Sequence, residues 1–244
     1  MDKSVQITLI IVAGILIIGF LGFNTFSNLN PTNTVTTSGQ STVEVTPDLI
    51  GVYFNVETKS STSEQATSDN AEIVEALQVE LFKQDFSKDE IETISFNVYP
   101  NYNWNSGART QNGYIATHQI RVKIPIEDSD KIGEVIDSGV SSGAGVSYIN
   151  YELTTESQNQ YKAEAIKLAS QDARIKAEAM AEGLNKKLGK LVSVSDSNFN
   201  YYPGRLYEAS GNSMDTAEIK QATTDINPSA QTVYANVNVV FRLR

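Results

Sequence analysis

The chain has 244 residues, a formal net charge of −10, a single histidine and no cysteine. That length suits one sizeable domain or two small ones. The acidity argues against nucleic acid, which calls for a basic stripe, and against docking on anionic lipid. The absence of cysteine excludes disulfides, thiol catalysis, iron–sulfur clusters and cysteine-bound zinc.

Residues 1–4 carry Lys3 and precede an uncharged run, Val5 to Phe23, in which only Gln6 and Thr8 are polar. At about 1.5 Å per residue the run spans roughly 28 Å, close to the hydrocarbon thickness of a bilayer. No Lys or Arg follows until Lys59, so the charge bias keeps the N-terminus inside and puts the bulk of the chain outside the cytoplasm. A single-pass anchor at the cell membrane is therefore expected, with a cleaved signal peptide as the alternative. Residues 24–33, with Pro31, read as a linker, and residues 34–244 as the extracytoplasmic domain.

Val43 and Val45 alternate with polar residues in a first strand, which Pro47-Asp48 ends. Ile50, Val52, Phe54 and Val56 alternate in a second, and the two are expected to pair as antiparallel neighbours. Ser61 and Glu64 have the spacing of a capping box ahead of an amphipathic helix from Thr62 to about Lys83, with Ala66, Ile73, Leu77 and Leu81 inward. Ile94, Phe96 and Val98 mark the next strand. Pro100 to Gly113 reads as a long hairpin loop, and Tyr114, Ala116, His118, Ile120, Val122 and Ile124 share one face of a long strand. Asp128 can cap a short helix with Ile132, Val135 and Ile136 inward, ended by Gly139, Gly143 and Gly145. Ile149, Tyr151 and Leu153 make another strand.

Gln158 to Leu188 is the longest helical pattern of the domain. Ala165, Ala169, Ala173, Ala177 and Ala181 recur every fourth residue, a ladder of small side chains on one helix face that lets a sheet approach closely. Tyr161, Leu168, Met180, Leu184 and Leu188 are expected to add bulk beside it, and Gly189 to stop the helix. Leu191, Val192 and Val194 start a strand. Residues 198–231 read as a mobile insertion with a short helix near Thr216 to Ala222. Val233, Ala235, Val237, Val239 and Phe241 alternate in the closing strand. The mixed order, without strict βαβ alternation, gives an α+β fold of largely antiparallel sheets covered by helices.

Several stretches together resemble one family, the SIMPL-domain proteins. Gly39 and Pro47-Asp48, in SGQSTVEVTPDLIGVYFNVET, resemble its opening strands. Gly113-Tyr114-Ile115-Ala116 resembles the start of its long central strand. Residues 135–153, with Gly143-Ala144, resemble its helix-to-strand segment. Asp172-Ala173-Arg174 with Lys176-Ala177-Glu178 resembles its alanine-rich helix, and Leu188-Gly189-Lys190 the end of that helical segment. Ser41 replaces a second glycine common there, and Tyr151 a phenylalanine. The resemblance runs from about Val35 to Phe241. It implies a SIMPL-like fold in an extracytoplasmic protein of the cell envelope, a link to oxidative-stress defence, and assembly into homo-oligomers. It implies no agreed activity and no catalytic residues.

The residues themselves offer little chemistry. No P-loop, EF-hand loop, dinucleotide fingerprint or G-x-S-x-G elbow is present. His118, on the apolar face of a strand, reads as a structural residue, and no catalytic, cofactor or metal site is expected. Asp172 and Lys176, acid four residues before base, read as a partly buried ion pair that fixes the helix, with a polar switch as the alternative. Tyr102, Trp104 and Arg109 in the first loop, and Tyr201 and Tyr202 in the second, are the residue types that anchor interfaces; a solvated tip with folded-back rings is the other reading. The expected function is binding or self-assembly at the membrane, without catalysis. A small-molecule or peptide binding module is the runner-up, and an enzyme using carboxylates alone ranks last.

Overall fold

A computed structural model describes residues 33–105, 108–208 and 230–244, together with positions 12, 14 and 18. The elements in order are β1 (Thr34–Val45), β2 (Leu49–Ser60), α1 (Ser63–Lys83), β3 (Ile91–Asn105), β4 (Ala108–Pro125), α2 (Ile132–Ser142), β5 (Gly145–Glu152), α3 (Thr155–Gly183), β6 (Leu188–Asn200), β7 (Gly204–Glu208) and β8 (Gln231–Leu243). Among the described residues no helix is long and apolar enough to cross a membrane. The expected anchor and the helix near 216–222 lie outside the described residues, apart from three isolated positions of the former.

The strands form two sheets, one ordered β1-β8-β6 and the other β3-β4-β2-β5-β7. Described residues fall into two compact units. One draws on residues up to Ser41, Ala165–Phe199 and Tyr234–Arg244; the other on Thr42–Glu164 and Asn200–Val233.

In the second unit β2 pairs antiparallel with β4 and with β5, and β4 pairs with β3. The even positions of β2 build the core. Ile50, Val52, Phe54 and Val56 are fully buried with Leu77 and Leu81 of α1 and Ile132, Val135 and Ile136 of α2. Buried Asn70 binds α1 to the sheet through its amide, which donates to the Val56 carbonyl at 3.0 Å. Gly139 lies inside α2 and does not end it: a Cβ there would come within 2.0 Å of the Phe54 ring. The helix stops at Gly143, whose φ of 88° is left-handed and suits glycine.

In the first unit the alanine ladder is as the spacing predicts. Ala165, Ala169, Ala173, Ala177 and Ala181 are all buried. Gly39 of β1 lies so close beneath them that an added Cβ would fall 1.9 Å from the Ala169 carbonyl oxygen. Hydroxyl donors complete the contact, Thr37 to the Ala173 carbonyl at 2.9 Å and Ser41 to that of Ala165 at 2.7 Å. The odd positions of β8, Val233 through Phe241, are buried as their alternation requires.

Several local expectations are corrected. β1 and β2 do not pair; the break at Pro47-Asp48 delivers them to different sheets. The N-cap of α1 is Thr62, whose hydroxyl accepts from the Gln65 amide at 3.2 Å, and not Ser61. Inward positions of α1 include Val74 and Asn70, with Ile73 only partly buried. Asp128 sits in a 3-10 turn and pairs with Lys131, which leaves α2 without a side-chain cap. The long helix starts at Thr155 and ends at Gly183, followed by Asn185 at φ 55° with the Lys186 amide donating to the Ala181 carbonyl. Gly189 therefore lies in β6, where a side chain would collide with the Arg242 carbonyl. Leu168, Met180 and Leu184 are exposed and do not flank the ladder as packing.

Candidate functional site

The expected loop from Pro100 to Gly113 is a continuation of the β3–β4 hairpin. Tyr102 faces Gln111 and Trp104 faces Arg109 across the two strands. A stretch rich in Asn, Gly and Pro reads as a turn, yet two bulges, between Thr93 and Ser95 and between Pro100 and Tyr102, keep the ladder going. The Arg109 guanidinium lies 3.5 Å from the centre of the Tyr102 ring, a stacked cation–π pair. Tyr201 is half-buried and its hydroxyl donates to the Tyr151 carbonyl at 3.4 Å; burial pushes its pKa up. Tyr202 next to it is exposed. The two aromatic groups thus sit on different segments, Tyr102 on the hairpin and Tyr201 against β5.

β3 forms one edge of the five-stranded sheet. Its outer side meets no strand among the described residues. Ile94, Phe96, Val98 and Tyr99 are 37–46% exposed. Beyond Glu92 the strand carries no charged residue.

His118 is half-buried beside Phe96, its ring 5.3 Å away, and its Nε2 lies 2.9 Å from the Thr93 hydroxyl. Burial lowers its pKa. These partners are a hydroxyl and an aromatic ring, and among the described residues no acid bonds to the imidazole. Among the described residues no cluster of His, Asp and Glu could hold a metal ion.

Asp172 and Lys176 form an ion pair at 2.7 Å on a partly exposed face of α3. The same Asp172 oxygen accepts the Gln40 amide at 2.8 Å, and Lys176 donates to the Ser38 carbonyl at 3.3 Å. Lys176 and the Gln40 N–H hold the Asp172 carboxyl below its usual range. The pair acts as a clasp between α3 and β1.

A polar network escapes a reading of the sequence alone. Odd positions of β2 and β4 face away from the core. Tyr53 lies directly across from Arg121 on one side and Tyr148 on the other, with the two tyrosine rings stacked at 4.2 Å. The Tyr53 hydroxyl donates to Glu152 at 2.6 Å, and Arg121 donates to Glu152 at 3.1 Å and to Glu92 at 2.5 Å. Lys123 completes the chain to Glu92 at 2.8 Å. Burial, with the Glu152 contact, raises the Tyr53 pKa, and Lys123 with Arg121 lowers that of Glu92. Gly51 makes room for the buried Glu152 carboxylate, because a Cβ there would lie 2.6 Å from its oxygen. Nearby, Asp48 caps the start of α3 by accepting from the Thr154 amide and hydroxyl and the Ser157 hydroxyl. Burial opposes ionisation of Asp48, yet those donors outweigh it and leave its pKa lowered.

A cavity of about 310 Å³ opens beside this network, lined by Glu92, Arg121, Lys123, Thr154 and Gln158 among others. Its cations are already engaged by Glu92 and Glu152, so they present paired charges, and Glu90 adds a further carboxylate to the wall. In the other unit, a groove of about 440 Å³ lies between α3 and the β6–β8 face, with Leu188, Leu191, Val194, Val239 and Phe241 in its wall.

A family model, SIMPL, described as a protein of unknown function (DUF541), matches residues 35–241. The chain belongs to the SIMPL family. The extent agrees with the resemblance drawn from the short motifs, from about Val35 to Phe241. Among curated SIMPL relatives, the uncharacterized protein YggE of Escherichia coli (strain K12) is 25% identical over 173 residues, covering 69% of this chain and 68% of the relative. The uncharacterized protein YggE of Edwardsiella ictaluri (strain 93-146) is 24% identical over 187 residues, covering 75% and 77%.

Proposed function

We propose that this SIMPL protein is a membrane-tethered, extracytoplasmic module that works by self-assembly, with no turnover of its own. The carrying observation is β3. It is a 15-residue edge strand whose exposed side chains include Ile94, Phe96 and Val98 and which has no charge after Glu92. Soluble proteins protect such edges with lysines, short strands or a covering element, because the unpaired amides and carbonyls otherwise recruit another chain. β3 does carry Pro100 and two bulges, which also blunt edges, but among the described residues no strand pairs with its outer side and no lysine lies along it, and an apolar edge of this length suits pairing with a second copy. The uncharged run Val5–Phe23 supports the tether, with the N-terminus inside, and tethering raises the local concentration of copies. The cell envelope is the setting this gives, and oxidative-stress defence the role the family resemblance adds.

The test is chemical cross-linking of the full-length chain in vesicles, wild type against Ile94→Lys/Val98→Lys. Charges on the edge strand should abolish the cross-linked ladder and leave the circular dichroism unchanged. An identical ladder from the variant would remove β3 as the assembly surface. The 440 Å³ groove, apolar on its β6–β8 wall and bordered by Ser170, Arg174 and Glu178 of α3, favours a second reading, binding of a small amphipathic ligand or peptide. A ligand that raises the melting temperature of a monomeric chain would put that reading first.

A further inference from the structure

The whole-molecule charge of −10 conceals a basic end on the three-stranded sheet. Lys187 and Arg244 exchange both backbone hydrogen bonds at 2.9 Å, and in the next row Gly189 lies against the Arg242 carbonyl. Antiparallel pairing puts directly opposed residues on the same face of a sheet, so Lys187 shares a face with Arg244 and Arg242. Lys186 precedes Lys187 in sequence, and Lys190, next after Gly189, projects from the opposite face of the same strand end. All five side chains, Lys186, Lys187, Lys190, Arg242 and Arg244, belong to exposed residues. Among the described residues of this sheet, acids lie away from this end, Asp196 of β6 included. β8 contains none, the only acid of β1 is Glu44 near its far end, and Glu182 in the last turn of α3 is the nearest in sequence to the lysines. On the other side of β8 the Leu243 amide donates to the Asn33 carbonyl at 2.8 Å, so the chain enters the sheet at this same end.

We infer that this basic end is a docking surface for anionic lipid headgroups. The inference rests on the tether proposed above. Only residues 24–32 separate Phe23, the end of the apolar run, from Asn33, and a chain of that length reaches at most ~30 Å fully extended. The entry point and the basic row can therefore reach the headgroup layer and cannot move farther from it than that length. Electrostatic attraction to a membrane falls off within about 10 Å in physiological salt, so only a surface that can come that near can use it. Phosphate headgroups match what Lys and Arg offer, a point charge and a planar fork of donors. The acidic remainder of the domain is repelled by the same layer. Docking thus sets which end of this sheet faces the bilayer.

The test uses the full chain, which lacks cysteine, with a donor dye at Gly183→Cys and an acceptor dye on lipid headgroups. Gly183 closes α3 three residues before Lys186, and a side chain there meets nothing within 4 Å. Flotation with neutral phosphatidylcholine vesicles first reports the tether alone. Energy transfer is then compared between neutral vesicles and vesicles with about one third phosphatidylglycerol. The expected result is higher transfer in the anionic vesicles, reversed by 0.5 M salt. Lys186→Gln/Lys187→Gln/Arg242→Gln/Arg244→Gln should return it to the neutral level, at about fivefold weaker docking per base removed. Equal transfer in both lipids, or an unchanged response in the variant, overturns the docking surface. If the chain fails to float with neutral vesicles, the tether is wrong. Flotation with anionic vesicles alone, lost in the variant, would then still establish the surface, and no flotation at all would overturn it.

Discussion

Replacing Arg121 by Met removes the charge that compensates Glu152. The Glu152 side chain is 7% exposed and that of Arg121 24%, so the pair is largely out of water. Losing one partner of a buried pair costs about 3–5 kcal/mol, since the other charge is left in a poor solvent. Two features place Arg121→Met near the lower limit. The Tyr53 hydroxyl still donates to Glu152, and Glu92 keeps Lys123. About 3 kcal/mol is thus expected, a large part of a total that is typically 5–15 kcal/mol. Adding Glu152→Gln removes the stranded charge and keeps an acceptor for Tyr53. The double variant should recover about 2 kcal/mol relative to Arg121→Met, because exchanging a whole buried pair for neutral groups is close to neutral. Urea unfolding at pH 7, followed by circular dichroism, measures both steps as a double-mutant cycle. A cost below 1 kcal/mol for Arg121→Met, or additive single effects, would refute the view that Arg121 holds a buried carboxylate in place.

Three other outcomes rest on single contacts. Gly39→Ala should destabilise by about 1–3 kcal/mol, read by urea midpoint, because the new Cβ would collide with the Ala169 carbonyl and the Ala173 amide. Thr62→Ala should cost about 1 kcal/mol and Ser61→Ala almost nothing, since Thr62 alone accepts from the Gln65 amide; thermal melts of the two variants separate the caps. The pKa of Asp48 is lowered in the fold, so its contribution is complete above the ordinary carboxylate value of 3.8 and disappears as pH falls below it. Stability should therefore drop on acidification below about pH 4 more steeply in the wild type than in Asp48→Asn, measured by urea midpoints from pH 6 to 2.5.

The parts of the fold legible in the sequence are those with a clean period. The alanine ladder and the odd positions of β8 have one face to bury, and they bury it. Strand pairing is less legible. β1 and β2 are neighbours in the chain, and adjacency suggests a hairpin, but Gly39, Thr37 and Ser41 commit β1 to the alanine helix. The far end of the β3–β4 hairpin reads as a loop because Asn and Gly prefer turns; cross-strand hydrogen bonding outweighs that weak preference over Tyr102–Asn105. Exposure along Ile94–Val98 is hidden for a related reason. Apolar alternation says that a strand has a face but does not say what covers it.

The candidate site is less legible still. Tyr53, Arg121 and Glu152 fall on the face that alternation assigns to water, on strands far apart in the chain, and only the register of β2 with β4 and β5 brings them together. One signal is present: Gly51 interrupts an otherwise bulky β2, and glycine within a strand marks a close approach. Asp172 and Lys176 are legible because both partners lie on one helix at the favourable spacing. The basic end is invisible to a sum over the chain, since its lysines and arginines come from two separated strands that the Lys187–Arg244 pairing joins.

Self-assembly carries the functional reading, and it is decided by the absolute mass of the chain from Asn33 to Arg244, measured by light scattering across a concentration series. A discrete multimer is predicted, one that persists on dilution and is lost when Ile94 and Val98 carry lysine. A strict monomer at every concentration would contradict self-assembly.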